Sequence, residues 1–191
     1  MIGISAGILL IPLIITVIVY VICRAIKKPK LPGTLFWCDI TFIIYCFIAV
    51  GLLFFPVEIY YDSYYSEIII NLVPFKDVWN IINGSLSRQA VTHIIAYLAG
   101  NLLIFVPLAF YLRFRYEKDS RRRFVLLVVL SASAEILQLL IVLLTRNTAR
   151  IIDITDLILN LGGSLFAWYV FGIFKESHKR KNELREKTEK Q

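Results

Sequence analysis

Three sets of polar residues interrupt otherwise apolar stretches of this chain, and within each set the spacing is helical. Ser131, Glu135 and Gln138 are separated by four and then three residues. Asp153, Asp156 and Asn160 are separated by three and then four, while His93, Tyr97 and Asn101 follow one another at intervals of four. Residues three and four apart lie on one face of a helix, so each set forms a polar stripe. Carboxylates, amides and hydroxyls gathered in apolar surroundings can hold a polar head group or move a proton. An ionisable side chain in hydrocarbon costs at least ~2.5 kcal/mol, so each needs a partner. Arg150 can offer a cation to Asp153 or Asp156. One arginine cannot neutralise Glu135, Asp153 and Asp156 together, so at least one carboxylate is protonated, hydrated or matched by a ligand. The plainer alternative is a hydrogen-bonded network that joins the helices and binds nothing.

The elements that carry these stripes follow from hydropathy. Of the 191 residues 58% are hydrophobic, more than a soluble domain carries, which implies an all-α polytopic membrane bundle. Five apolar runs have the length of a bilayer crossing: 4–23, 35–55, 93–112, 124–144 and 151–174. An outer segment, 56–92, joins the second run to the third, and a basic tail occupies 175–191. The first run lacks a basic start and a small-residue cleavage site, so it is expected to remain as a spanning helix. The net charge of +7 comes from residues that flank the runs, which speaks for membrane topology and against nucleic acid. With the amino terminus outside and the carboxyl terminus cytoplasmic, 17 of the 21 basic residues fall on the inner side. Cys23, Cys38 and Cys46 lie within apolar runs without paired spacing, and read as small hydrophobes rather than metal ligands or disulfides.

This topology brings the stripes to one level. Counted from the outer helix ends at ~1.5 Å per residue, Asp156 lies ~8 Å deep, Gln138 ~9 Å, Asn101 ~12 Å, and Glu135 and Asn160 ~13 Å. Three stripes at one depth point to a shared cavity open to the outside, with Arg150 at its mouth. Gly163 and Ala167 continue the last stripe and allow close helix approach; Pro107 is expected to kink the third helix. The outer segment begins with Tyr60, Tyr61, Tyr64 and Tyr65, residues suited to the headgroup interface. Its stretch 67–82 is too short to span, and reads as a re-entrant or interfacial element. Asp39 sits near the cytoplasmic end of the second helix, where snorkelling or a surface pair suffices, and is assigned no role. His178 belongs to the solvated tail, itself read as a helix or a disordered end. The sequon beginning at Asn83 carries meaning only in a glycosylating host.

Several motifs, in order, resemble the VanZ-like family, named for a bacterial accessory protein associated with resistance to the lipoglycopeptide teicoplanin. They are Asn71-Leu72-Val73-Pro74-Phe75 in the outer segment, Gly100-Asn101 with Phe105-Val106-Pro107 in the third helix, and Ser131 with Glu135 and Gln138 in the fourth. Arg150, Asp153, Asp156, Asn160 and Gly162 complete the set. Ala109 departs from the glycine that such sequences commonly carry after the proline. The resemblance covers most of the chain and implies a cell-membrane protein linked to glycopeptide resistance, without assigning a reaction.

The preferred expectation is a binding protein. Asn101, Ser131, Glu135, Gln138, Arg150, Asp153, Asp156 and Asn160 would engage the head of an outer-leaflet lipid or lipid-tailed antibiotic, and Asn71, Pro74 and Phe75 would form an outer lid. An intramembrane enzyme is the second reading, with Glu135 or Asp156 as general base and His93 as acid or metal ligand. The sequence contains neither H-E-x-x-H nor G-x-S-x-G, and no metal set or cofactor motif is expected. A small transporter using the carboxylates as proton carriers is the third, although no inverted repeat is visible.

Overall fold

The architecture was obtained as a computed structural model, in which residues 2–27, 33–59, 70–84, 87–115, 120–145 and 152–189 are described. Arg150 and the four tyrosines of the outer segment lie outside the described residues, as does Ser85 of the sequon. Among the described residues, five helical spans are long and apolar enough to cross a membrane: Ala6–Lys27, Gly33–Phe54, Arg88–Arg115, Ser120–Thr145 and Ile154–Glu183. Five crossings and an all-helical bundle agree with the hydropathy pattern.

The first span consists of a 3-10 turn, Ala6–Leu9, and helix α1, Leu10–Lys27. No residue of α1 is buried, and it packs beside α2, Gly33–Phe54, at the edge of the bundle. The chain before it is extended. Strand β1, Ile2–Ile4, pairs antiparallel with β2, Val57–Ile59, which lies just beyond the end of α2. The first helix therefore starts later than its apolar run, because backbone pairing with β2 claims the initial residues.

The segment between the second and third crossings contributes strand β3, Ile70–Asn71, and the short helix α3, Lys76–Asn83. At 8 residues, α3 is ~12 Å long, too short to span. The third crossing is divided into α4, Arg88–Leu103, and α5, Val106–Arg115. Helix α4 begins more than a turn before the run 93–112, where Ser87 Oγ accepts the backbone N–H of Ala90 at 3.1 Å, a side-chain N-cap. The interruption at Ile104 and Phe105 has the expected cause: Pro107 supplies no N–H and its ring clashes with the preceding turn. Tyr45 of α2 donates its hydroxyl to the Ile104 carbonyl at 2.6 Å, satisfying a polar group at the break that lipid could not.

Helix α6, Ser120–Thr145, forms the fourth crossing. Strand β4, Ile152–Asp153, precedes α7, Ile154–Glu189. At 36 residues, α7 extends ~54 Å, well beyond the ~30 Å hydrocarbon core, so the basic tail continues the last crossing as helix. Helices α4, α5 and α6 all pack on α7, the centre of the bundle, and α2 packs on α5 and α6. Leu53, Phe105, Leu108, Ala109, Leu112, Leu127, Ala134, Ala167 and Trp168 form the buried apolar core. Ala109, where a glycine was the family expectation, is fully enclosed in it.

Asp39 corrects the expectation drawn from its position. It is only 6% exposed and accepts hydrogen bonds from Tyr20 of α1 (2.7 Å), Tyr111 of α5 (3.0 Å) and the Arg115 guanidinium (2.9 Å). The carboxylate thus ties α1 and α5 to α2. Sequence position placed it near a basic loop, but burial and partner choice depended on how α5 approaches α2.

Candidate functional site

The polar stripes of α4, α6 and α7 meet. Asn101 Nδ2 donates to Asp156 Oδ1 at 2.7 Å, and Asn160 Nδ2 donates to Glu135 Oε1. These bonds connect α4 to α7 and α7 to α6, respectively. A cavity of about 190 Å³ is lined by Tyr97, Asn101, Glu135, Gln138, Asp153 and Asp156, with Leu52, Leu53, Leu139 and Val142 as apolar walls. The Tyr97 hydroxyl neighbours Asp156 and Thr155; it is buried and makes no hydrogen bond of normal geometry among the described residues.

Close backbone contact permits this convergence. A Cβ at Gly163 of α7 would overlap the Leu102 carbonyl of α4, so only glycine allows the helices to cross at this separation. Leu102 directly follows Asn101, and the crossing therefore sets the reach of Asn101 to Asp156. The small residue on the stripe serves the polar site through packing.

The remaining site residues divide by what they touch. Asp153 is the residue before α7, and its Oδ1 accepts both the backbone N–H (2.7 Å) and the hydroxyl (2.6 Å) of Thr155. That is an N-cap arrangement, which gives this carboxylate a structural partner set of its own. Its Oδ2 accepts Asn71 Nδ2 at 3.1 Å. Gln138 Nε2 donates to the Leu53 carbonyl at 2.8 Å, capping the last turn of α2, whose final carbonyls lack a helical N–H to accept. Ser131 is fully buried and does not line the cavity; its hydroxyl finds no partner among the described residues. Asn160 is also fully buried, and its Oδ1 is likewise unpaired there.

The motif from Asn71 to Phe75 is fastened to the start of α7. Strands β3 and β4 pair in parallel, with Asn71 opposite Asp153. The Phe75 N–H donates to Thr155 Oγ1 at 2.8 Å, and Phe75 itself has a left-handed backbone, φ 58°, unusual for an aromatic residue. Pro74 and Phe75 are exposed. The segment expected to act as a lid is thus held at its base by Asn71 and Phe75.

His93 is exposed on α4 and does not line the cavity, so the structure does not bring it to Glu135 or Asp156. No group of three or more metal-ligating side chains occurs among the described residues. The sequence stripes omitted Thr155 and left Tyr97 out of the binding set. A signal for Thr155 was available in Asp153-Ile154-Thr155, an acidic N-cap two residues before a hydroxyl; for Tyr97 it was the same stripe that carries Asn101.

Five apolar crossings, four of which wall a small polar cavity, define a polytopic helical membrane protein. The sequence model of the VanZ/LLP1 family matches residues 42–175, and the chain belongs to that family. The matched span contains every residue that lines the polar cavity. Comparison with curated proteins and with solved structures yields no match.

Proposed function

We propose that the polar cavity receives, from the outer leaflet, the head of an envelope lipid or lipid-tailed glycopeptide antibiotic, and that this binding contributes to teicoplanin-type resistance. The observation that carries the reading is the convergence of Tyr97, Asn101, Glu135, Gln138, Asp153 and Asp156 on one cavity within an apolar bundle. The carboxylates of Glu135 and Asp156, with Asp153 capping α7 beside them, favour hydrogen-bond donors and disfavour a phosphate, so the captured group is a hydroxyl- or amine-bearing one. At about 190 Å³ the cavity is smaller than the ~300–1,000 Å³ typical of whole-ligand sites. It suits one small polar head, with the rest of the amphiphile lying along the apolar helix surface. The outer placement rests on the orientation that leaves 17 of 21 basic residues on the cytoplasmic side.

Glu135→Gln and Asp156→Asn, expressed at wild-type level, provide the test. Binding of fluorescent teicoplanin and of labelled envelope lipid to protein in nanodiscs should fall about tenfold or more, the equivalent of one charged hydrogen bond of ~1.5 kcal/mol. Host susceptibility to teicoplanin should rise with it. Unchanged binding and susceptibility in both variants would overturn the reading. For orientation, a cysteine at Asn83 should label in intact cells and one at Ser120 only after permeabilisation, in a background lacking the three native cysteines.

A further inference from the structure

A second and much larger opening lies between α2, α5 and α6, with a volume of about 990 Å³. Its walls are apolar along most of their length, among them Phe42 and Ala49 of α2, Leu108 of α5, and Leu126, Leu130 and Ala134 of α6. Ala49 and Ala134 are both buried, and their small side chains leave room midway that larger ones would fill. The polar side chains along the groove are engaged within the protein. Tyr45 donates to the Ile104 carbonyl, Ser133 to the Val129 carbonyl and Arg123 to the Leu112 carbonyl, while Tyr111 and Arg115 both donate to Asp39. Arg122 has a partner as well. A groove whose polar groups are already paired offers an occupant dispersion contacts and little else, which selects hydrocarbon.

The groove adjoins the polar cavity. Leu53 borders both, and on α6 the neighbours Leu137 and Gln138 line the groove and the cavity respectively, as do Ala134 and Glu135. Gln138 also donates to the Leu53 carbonyl at 2.8 Å, which fixes the shared wall from the cavity side. The two spaces are complementary. About 190 Å³ holds a small polar head, whereas about 990 Å³ lies at the top of the range for whole ligands, ~300–1,000 Å³. From Leu137 to Leu126 the groove follows α6 for ~16 Å at 1.5 Å per residue. Since Gln138 lies ~9 Å inside its end of the core, a chain entering beside Leu53 reaches ~25 Å into hydrocarbon ~30 Å thick. That end point is ~10 Å past the midplane, deeper than a tail confined to one leaflet extends.

We propose that this groove holds the tail of the ligand whose head enters the polar cavity, and that the ligand is an envelope lipid with a single hydrocarbon tail longer than one leaflet. This assignment rests on the head-binding reading above. A long-chain alcohol or amine has the required chemistry, with a hydrogen-bond donor for the carboxylates and a tail that crosses the midplane. Bilayer chains compete for an apolar groove on nearly equal terms, so selection comes from the head, which tethers its own tail beside the opening and raises its effective concentration there.

Photolabelling of the full chain in nanodiscs tests the assignment with three probes. They are a long-chain primary amine with a diazirine near the end of its tail, the corresponding alkane without a head, and a short-chain fluorescent amine that reports on the cavity alone. The headed probe should label the helices around Ala49, Leu108 and Leu130 well above the headless alkane. Asp156→Asn should lower that labelling about tenfold, the loss of one charged hydrogen bond. Ala134→Phe should abolish it by filling the groove, yet leave the short-chain amine bound. Val50→Trp should do the same; Val50 lines the groove and is 38% exposed, so this variant leaves the core intact even if the buried Ala134 position does not tolerate change. Equal labelling by the headed and headless probes would overturn the proposal, as would labelling that survives both groove variants. So would a dimer of the chain that is lost on Val50→Trp, which would put a second copy in the groove. If the short-chain amine binds and responds to Asp156→Asn while the groove stays unlabelled, the tail assignment alone falls. If the short-chain amine does not bind the wild type, the head-binding reading falls and takes the tail assignment with it.

Discussion

Exchanging the two partners of the bond between α4 and α7 probes the polar cavity directly. Asn101 Nδ2 lies 2.7 Å from Asp156 Oδ1. Asn101→Asp would set a second carboxylate against the first at about this separation, and two carboxylates so close do not both ionise. One must take up a proton or the helices must part. Asp156→Asn keeps a possible amide contact but removes its charge. The double exchange, Asn101→Asp with Asp156→Asn, restores one amide and one carboxylate in reversed order. Interhelical hydrogen bonds in membranes average ~0.6 kcal/mol and reach ~1.7; a short, charge-assisted pair belongs near the top of that range. We therefore expect a coupling of about 1.5 kcal/mol, with the double variant more stable than the sum of the single effects by that amount. Unfolding in mixed micelles by increasing SDS, followed by circular dichroism across the four proteins, measures it. Independent sites add to within ~0.5 kcal/mol. Additivity at that level would refute direct contact between Asn101 and Asp156 and with it the convergence of the stripes.

Gly163→Ala should destabilise the bundle by about 2 kcal/mol or more in the same assay, because its new methyl group meets the Leu102 carbonyl and backbone yields less readily than a side chain. Gly162→Ala, whose Cβ meets nothing within 4 Å, should be neutral or stabilising, and equal effects at the two glycines would disprove the close crossing. Asp39→Asn should cost about 2 kcal/mol, less than a fully buried ion pair because Arg115 retains 22% side-chain exposure. It should also increase protease access to α1, which has no buried residue of its own; an unaltered digestion pattern would remove Asp39 from its role in holding that helix.

Hydropathy and spacing alone determined the five crossings and the three polar stripes. Both depend on local sequence: a bilayer requires about 20 apolar residues per helix, and helical periodicity decides which side chains share a face. Pro107 likewise announced its interruption, since a missing N–H is a local defect. The motifs from Asn71 to Gly162 were sufficient to suggest the family. Tertiary structure decided which member of each stripe meets which partner. Asn101 pairs with Asp156 and Glu135 with Asn160 because a backbone contact at Gly163 sets one helix crossing, and no one-dimensional spacing contains that separation. Gln138 turns to the end of α2, and Asp153 caps α7, so hydrogen-bonding needs at helix ends claim residues that composition would assign to a ligand. Asp39 shows the same physics from the other direction. A carboxylate beside a basic loop reads as solvated until Tyr20, Tyr111 and Arg115, far apart in the chain, enclose it. The wide groove ending in arginines is more distant still from the sequence, for it is the space that α2, α5 and α6 leave between them.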